Sequence, residues 1–178
     1  MTLISENYRA LNRQLHADIP AYGDGRVTMR WYPQIVSLAS NLNAITILDY
    51  GCGKSNLGTA LSHLMVEGYD PAIAGKDDPP EPADLVVCLD VIEHIEPECV
   101  DNVLDDLLRC TIKGIFLTIS TRPARKFLAD GRNAHLSVHP PEWWLPKLME
   151  RWEIRMFAAK EDDFAFFGLA KQPERAAA

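Results

Sequence analysis

No apolar run in the chain approaches the ~18 residues that a bilayer-spanning helix requires, so nothing in it reads as a transmembrane segment. Basic charge is scarce. Lys and Arg together number 18 against 25 Asp and Glu, a formal net charge of −7. An acidic surface repels phosphate backbones, which argues against sequence-independent binding to nucleic acid. Cysteine is sparse, and Cys52, Cys88, Cys99 and Cys110 form no CxxC pair. Three of them sit in or beside apolar runs, the usage of a reduced, intracellular protein rather than a disulfide scaffold. The opening residues, MTLISENYRALN, show no basic start followed by an apolar stretch. No signal peptide is therefore expected, and the cytoplasm is the expected compartment. Internal repeats are absent, and the only biased tracts are the short KDDPPEP and ERAAA.

What is present is alternation. At 178 residues the chain suits one domain with a sizeable core. Ser5 can cap a helix whose Tyr8, Leu11 and Leu15 share a face. After the turn signal YGDG, a second helix is predicted to start near Pro33, a good first-turn residue, with Ile35, Leu38, Ala39 and Leu42 inward. From Ala44 the pattern is that of an α/β protein. AITILDY, MVEGYD, ADLVVCLDV and GIFLTIST read as strands, continuously apolar where buried on both faces. A helix from about Asn56 to His63 and the amphipathic ECVDNVLDDLLRC lie between them. EWWLPKLMERW reads as a helix interrupted near Pro146. WEIRMFA and FAFFGLAK, joined by the polar AKEDD, read as an antiparallel hairpin. Strands alternating with helices imply a mostly parallel sheet covered on both faces.

The stretch ILDYGCGKSNLG carries the most chemistry. Its GKS resembles the end of a phosphate-binding loop, but the leading glycine of G-x-x-x-x-G-K-[ST] falls on Leu48, inside the strand. Asp49 would also repel a triphosphate. The nicotinamide fingerprint G-x-G-x-x-G fails at Asn56. A third reading fits better: a strand ends in an acidic residue, two glycines let the backbone pass close under a ligand, and a helix N-terminus follows. Such a turn suits a ligand carrying both an ammonium and a carboxylate. About 20 residues on, Asp70 ends the next strand, where a carboxylate can accept ribose hydroxyls.

In this order, ILDYGCGKS, GYDPAI, ADLVVCLDVIEHI and WEIRMFAAKEDDFAFFGLAK resemble the class I S-adenosylmethionine-dependent methyltransferases over about Ala44 to Lys171. The resemblance implies a Rossmann-like doubly wound sheet of about six strands, mostly parallel, with a C-terminal antiparallel hairpin. It implies N-terminal helices (1–43) covering the cofactor site, a methyltransferase core (44–172) and a disordered tail (173–178). Its cofactor would be S-adenosyl-L-methionine, with S-adenosyl-L-homocysteine as product. Asp49, Gly51, Cys52 and Gly53 would hold the methionine end, Asp70 and Pro71 the ribose end, and Leu89 and Asp90 would border the methyl group. Ser55 stands where the family has a third glycine. Only PAIAGKDDPPEP separates Asp70 from the next strand, too short and proline-rich for the usual helix and strand. The edge strand is therefore expected to be missing, with Asp77 or Asp78 standing in at the adenine amine.

Glu93 and His94 lie at the carboxyl end of the sheet, where open α/β proteins place ligands. With His135 they are the candidate catalytic residues, a histidine being suited to take a proton from an acceptor hydroxyl. The loop STRPARKFLADGRNAHLSVHPPEWW concentrates Arg122, Arg125, Lys126 and Arg132 with His135, His139, Trp143 and Trp144. Guanidinium groups suit carboxylate or phosphate, so a small, anionic acceptor is expected, and nucleic acid and membrane are not. No dedicated metal site is expected: His135 and His139 have H-x-x-x-H spacing, but Pro140 disfavours helix there. A looser set of Glu93, His94 and either histidine stays open, as does the oligomeric state. The expected activity is methyl transfer to an oxygen or nitrogen nucleophile. The alternative is a degenerate, methyltransferase-like cofactor-binding or protein-interaction module, suggested by the shortened segment after Asp70.

Overall fold

The computed structural model describes residues 2–24, 26–54 and 57–171. Ser55, Asn56 and the tail 172–178 lie outside them, so the third-glycine position, the start of the helix at Asn56 and the predicted tail are not described. The helices α1 (Glu6–Asp18) and α2 (Arg26–Asn41) precede strand β1 (Thr46–Tyr50), a short α3 (Leu57–Ala60) and β2 (Met65–Tyr69). Next come β3 (Ala83–Leu89), two 3-10 turns (Ile92–His94 and Pro97–Cys99), α4 (Val100–Cys110) and β4 (Thr111–Ser120). The chain then forms α5 (Pro141–Arg151), β5 (Trp152–Ala159) and β6 (Asp163–Ala170).

The six strands form one sheet in the order β2-β1-β3-β4-β6-β5. The β1–β2, β1–β3 and β3–β4 pairs are parallel, whereas β6 runs antiparallel to both β4 and β5. Side chains alternate across it, as the pleat requires. Leu48, Val86, Cys88, Ile115 and Leu117 pack with Tyr8 and Leu15 of α1, Val103 and Leu107 of α4, and Trp144 and Leu148 of α5. Ile47, Leu85, Val87 and Phe116 pack on the other face with Ile35 and Leu38 of α2 and with Leu57 and Leu61. Both faces are thus covered, and the doubly wound, mostly parallel architecture follows. Among the described residues no strand lies between β2 and β3, so β2 is an edge, as the short, proline-rich segment implies.

Two prolines lie inside helices, where the sequence placed one at a helix start and the other at an interruption. α2 starts at Arg26 rather than near Pro33, and Pro33 sits inside the helix. Pro146 likewise lies within a continuous α5. Each forfeits one backbone hydrogen bond, which burial offsets. Ile35 and Leu38 seat α2 on the sheet, and the ring of Trp31 meets Phe116 at 5.4 Å. Trp144 and Leu148, both fully buried, do the same for α5.

Candidate active site

The carboxyl ends of β1, β2, β3 and β4 open into a cavity of about 410 Å³, roofed by the N-terminal segment. Asp49, near the end of β1, is buried in its wall. Gly51 (φ 73°) and Gly53 (φ 55°) follow, both in the left-handed region that favours glycine. A Cβ on Gly51 would lie 2.4 Å from Val91 Cγ2, and one on Gly53 would lie 2.8 Å from the Gly23 carbonyl oxygen. The loop is therefore pressed between the β3 turn and the N-terminal roof, with no room for a side chain at either position.

Asp70 joins this loop to the next. Its Oδ2 accepts the Gly53 N–H and its Oδ1 the Ala72 N–H, both at 2.9 Å. Each carboxylate oxygen keeps a further lone pair, and Asp70 still lines the cavity. Cys52 beside it is buried, which pushes its thiol pKa up to about 12, with Asp49 adding to the rise. It is an inert small side chain. Lys54 shows why GKS is not a phosphate loop here. Its Nζ donates to the carbonyls of His16 (2.8 Å), Ile19 (3.3 Å) and Pro20 (3.2 Å), latching the end of α1.

The roof contributes residues that the sequence did not point to as part of a site. Tyr8, Asn12 and His16 recur every four residues along α1, so they share a face, and all three line the cavity. Asn12 Oδ1 and His16 Nδ1 are buried without a hydrogen-bond partner in the protein. Burial lowers the His16 pKa, which keeps the ring neutral. The signal was available as two polar residues interleaved with the apolar stripe of an otherwise core-facing helix. α1 is tied down on both sides. Ser5 N and Oγ donate to the two carboxylate oxygens of Glu96 at 2.7 and 2.8 Å. Arg9 and Arg13 donate to the carbonyls of Pro71 and Ala72.

Asp90 follows β3 with φ 60°, an uncommon backbone for a non-glycine residue. Its N–H donates to the Thr118 carbonyl at 3.2 Å, and the side chain lines the cavity. His94 ends the next 3-10 turn, with Nδ1 at 2.8 Å from the Ala134 carbonyl. Burial, and secondarily the neighbouring His135, lower its pKa to about 4. The rings of His94 and His135 meet edge to face at 4.6 Å. His135 Nδ1 lies 2.7 Å from the Arg122 carbonyl. Glu93 does not reach the cavity. It is fully buried, and its Oε1 accepts the Ser120 N–H at 2.7 Å, while its backbone carbonyl accepts from Ser137. Burial, then the Asp90 carboxylate, raise its pKa well above the usual range. Glu93 therefore braces the loop after β4 that carries His135.

All eight expected cofactor residues, Asp49, Gly51, Cys52, Gly53, Asp70, Pro71, Leu89 and Asp90, line this one cavity, together with His94 and His135. So do Arg122, Arg125 and Lys126. Arg122 pairs with Asp162 at 3.1 Å, and Lys126 lies 4.7 Å over the Tyr22 ring. Arg132, His139, Trp143 and Trp144 of the same loop do not line the cavity. Arg132 pairs with Asp130, Trp144 is in the core, and Trp143 stacks on His139 at 3.9 Å. Asp77 and Asp78 do not line the cavity among the described residues.

The strand order, the glycine turn after β1 and the antiparallel C-terminal pair define the fold of the class I S-adenosylmethionine-dependent methyltransferases. Three solved structures make the likeness concrete. The N-methyltransferase NodS from Bradyrhizobium japonicum WM9, in complex with S-adenosyl-L-homocysteine, superposes with a TM-score of 0.63 at 17% identity, over 94% of this chain and 100% of that one. The 1,6-didemethyltoxoflavin-N1-methyltransferase of Burkholderia thailandensis gives 0.64 at 14% identity, over 97% and 93% of the two chains. The magnesium protoporphyrin IX methyltransferase ChlM from Synechocystis PCC 6803 gives 0.56 at 14%, over 93% and 86%. No protein-family model matches the sequence, and no curated protein matches it.

Proposed function

We propose that the protein is an S-adenosylmethionine-dependent methyltransferase acting on an oxygen or nitrogen nucleophile of a small, anionic acceptor. The observation that carries this reading is the single cavity shared by Asp49, the glycine turn, Asp70 and His94. Its volume lies within the ~300–1,000 Å³ usual for small-molecule sites. The orphaned Asn12 Oδ1 and His16 Nδ1 in its roof fit a polar ligand that supplies the missing hydrogen bonds.

S-adenosylmethionine, when bound, supplies an electrophilic methyl group: an acceptor lone pair forms the new bond, the carbon–sulfur pair stays on sulfur, and the acceptor proton leaves. The chain's own residues bind and orient. Asp49 offers charge for an ammonium, Asp70 the spare lone pairs for vicinal hydroxyls, and the tight turn at Gly51–Gly53 allows close backbone approach. Donating Nδ1–H to the Ala134 carbonyl leaves His94 a basic Nε2. The lowered pKa keeps that nitrogen unprotonated at neutral pH, so when no cation occupies it its lone pair can meet the departing proton, which passes on to solvent because so weak a base does not retain it. Arg125, which pairs with no acidic residue among the described residues, and Lys126 line the same cavity and suit a carboxylate or phosphate on the acceptor.

Calorimetry with S-adenosylhomocysteine tests the reading. Micromolar binding, weakened by Asp70→Asn and absent with NAD, is the expected result. A wild type that binds neither would favour the interaction-module alternative, in which the missing edge strand has removed the adenine site.

A further inference from the structure

The cavity also holds a group of side chains whose arrangement suits a cation. One ligand atom each from Asp90, His94 and His135 lie within 4.8 Å of one another. The three come from separate segments: the residue after β3, the 3-10 turn behind it, and the loop after β4. Both imidazoles are already oriented from behind. His94 Nδ1 sits 2.8 Å from the Ala134 carbonyl and His135 Nδ1 2.7 Å from the Arg122 carbonyl. A carbonyl only accepts, so each Nδ1 carries the hydrogen and each Nε2 keeps its lone pair. That backing, a ring N–H held by a backbone carbonyl, is the usual support of a metal-bound histidine.

A second observation points the same way. Glu93, fully buried and adjacent to Asp90, has one oxygen on the Ser120 N–H and the other, Oε2, without a donor. A buried carboxyl oxygen without a donor, beside a second carboxyl, is stabilised either by a proton of its own or by positive charge nearby. We infer that Asp90, His94 and His135 form a divalent-metal site, with Glu93 as an outer-sphere carboxylate. Two imidazoles and one carboxylate select a first-row transition ion such as Mn²⁺, Fe²⁺, Co²⁺ or Zn²⁺ over Mg²⁺ or Ca²⁺, which prefer all-oxygen sets.

Three protein ligands leave coordination positions open toward the cavity, as in metal sites that bind substrate. The ion would hold an acceptor oxygen and make its proton easier to lose to solvent. This role rests on the methyltransferase reading above; metal binding itself does not. His139, stacked on Trp143, is no part of the set.

The test uses the full chain, stripped with chelator and titrated with Co²⁺ by visible absorbance and with Zn²⁺ and Mn²⁺ by calorimetry. The wild type should bind one ion, with Co²⁺ bands of low-symmetry coordination. His135→Ala should weaken binding by at least about tenfold. Asp90→Asn, which tolerates the left-handed backbone, should do the same, and melting curves will report whether each variant is folded. Should His135→Ala not fold, Asp90→Asn decides. A wild type that takes up no ion, or folded variants that bind as the wild type does, overturns the site. S-adenosylhomocysteine calorimetry on the same samples separates the two readings: metal uptake without it leaves this site standing and removes the methyltransferase, and the converse removes only the metal.

Discussion

Glu96 controls the roof of the cavity. Its carboxylate takes two hydrogen bonds from Ser5, 91 residues away, at 2.7 and 2.8 Å, and Ser5 Oγ in turn caps α1 by accepting the Tyr8 N–H at 3.0 Å. Removing it with Glu96→Ala deletes two charge-assisted bonds, each worth roughly 1.5–3 kcal/mol net. Glu96 is 6% exposed, so its loss also relieves the cost of keeping a carboxylate from water. About 2 kcal/mol is a reasonable net loss, and it falls on α1 docking rather than on the sheet. At 1.4 kcal/mol per decade this corresponds to a roughly 30-fold larger open population of α1. Native-state hydrogen exchange should show the α1 amides losing protection by that factor, while β3 and β4 change little. S-adenosylhomocysteine affinity should fall with it, since Tyr8, Asn12 and His16 leave the cavity when α1 lifts. Glu98→Ala, an exposed neighbour, is the control. Equal α1 protection in the two variants would refute the latch.

Gly53→Ala forces a Cβ to 2.8 Å from the Gly23 oxygen at a left-handed position, which by itself costs ~1–2 kcal/mol. Its melting temperature should drop, and ligand binding should weaken beyond what the stability loss explains. Lys54→Met frees three carbonyls at the end of α1, so thermal stability should fall. Wild type should also show no ATP binding by calorimetry, since the ammonium is engaged; millimolar or tighter binding would contradict that assignment. Glu93→Gln keeps an acceptor for the Ser120 N–H but no ionisable group. Burial raises the folded Glu93 pKa, so the native state holds a proton that the unfolded chain releases above about pH 4.3. Wild-type stability is therefore lost as pH rises past that point, and the variant escapes the loss. Denaturant unfolding in chelator should show the gap shifting toward Gln with rising pH, and a constant gap would disprove the buried protonated state.

Much of the site was legible because it is local. Asp49, Gly51 and Gly53 sit within one turn, and the need for left-handed backbone after a buried strand shows directly as glycine. The order of apolar runs gave the strands, and the shortness of PAIAGKDDPPEP predicted the missing one. The two misplaced proline effects had the opposite origin. A proline penalty is local, but Ile35, Leu38, Trp144 and Leu148 bury against elements distant in the chain, and that gain is invisible to a window of neighbouring residues. Glu93 shows the same limit. Its place beside His94 made it a candidate catalytic residue, whereas its carboxylate turns inward to the Ser120 N–H and braces a loop.

By itself the sequence determined the class of fold and the floor of the cavity, because alternation of apolar runs and the steric demand for glycine act within a few residues. Tertiary structure alone decided the roof and the far wall. Glu96 reaches Ser5, and the loop braced by Glu93 carries His135 to within 4.6 Å of the His94 ring. Such pairings depend on where a parallel sheet delivers the ends of β3 and β4, a consequence of long-range packing that no spacing along the chain encodes.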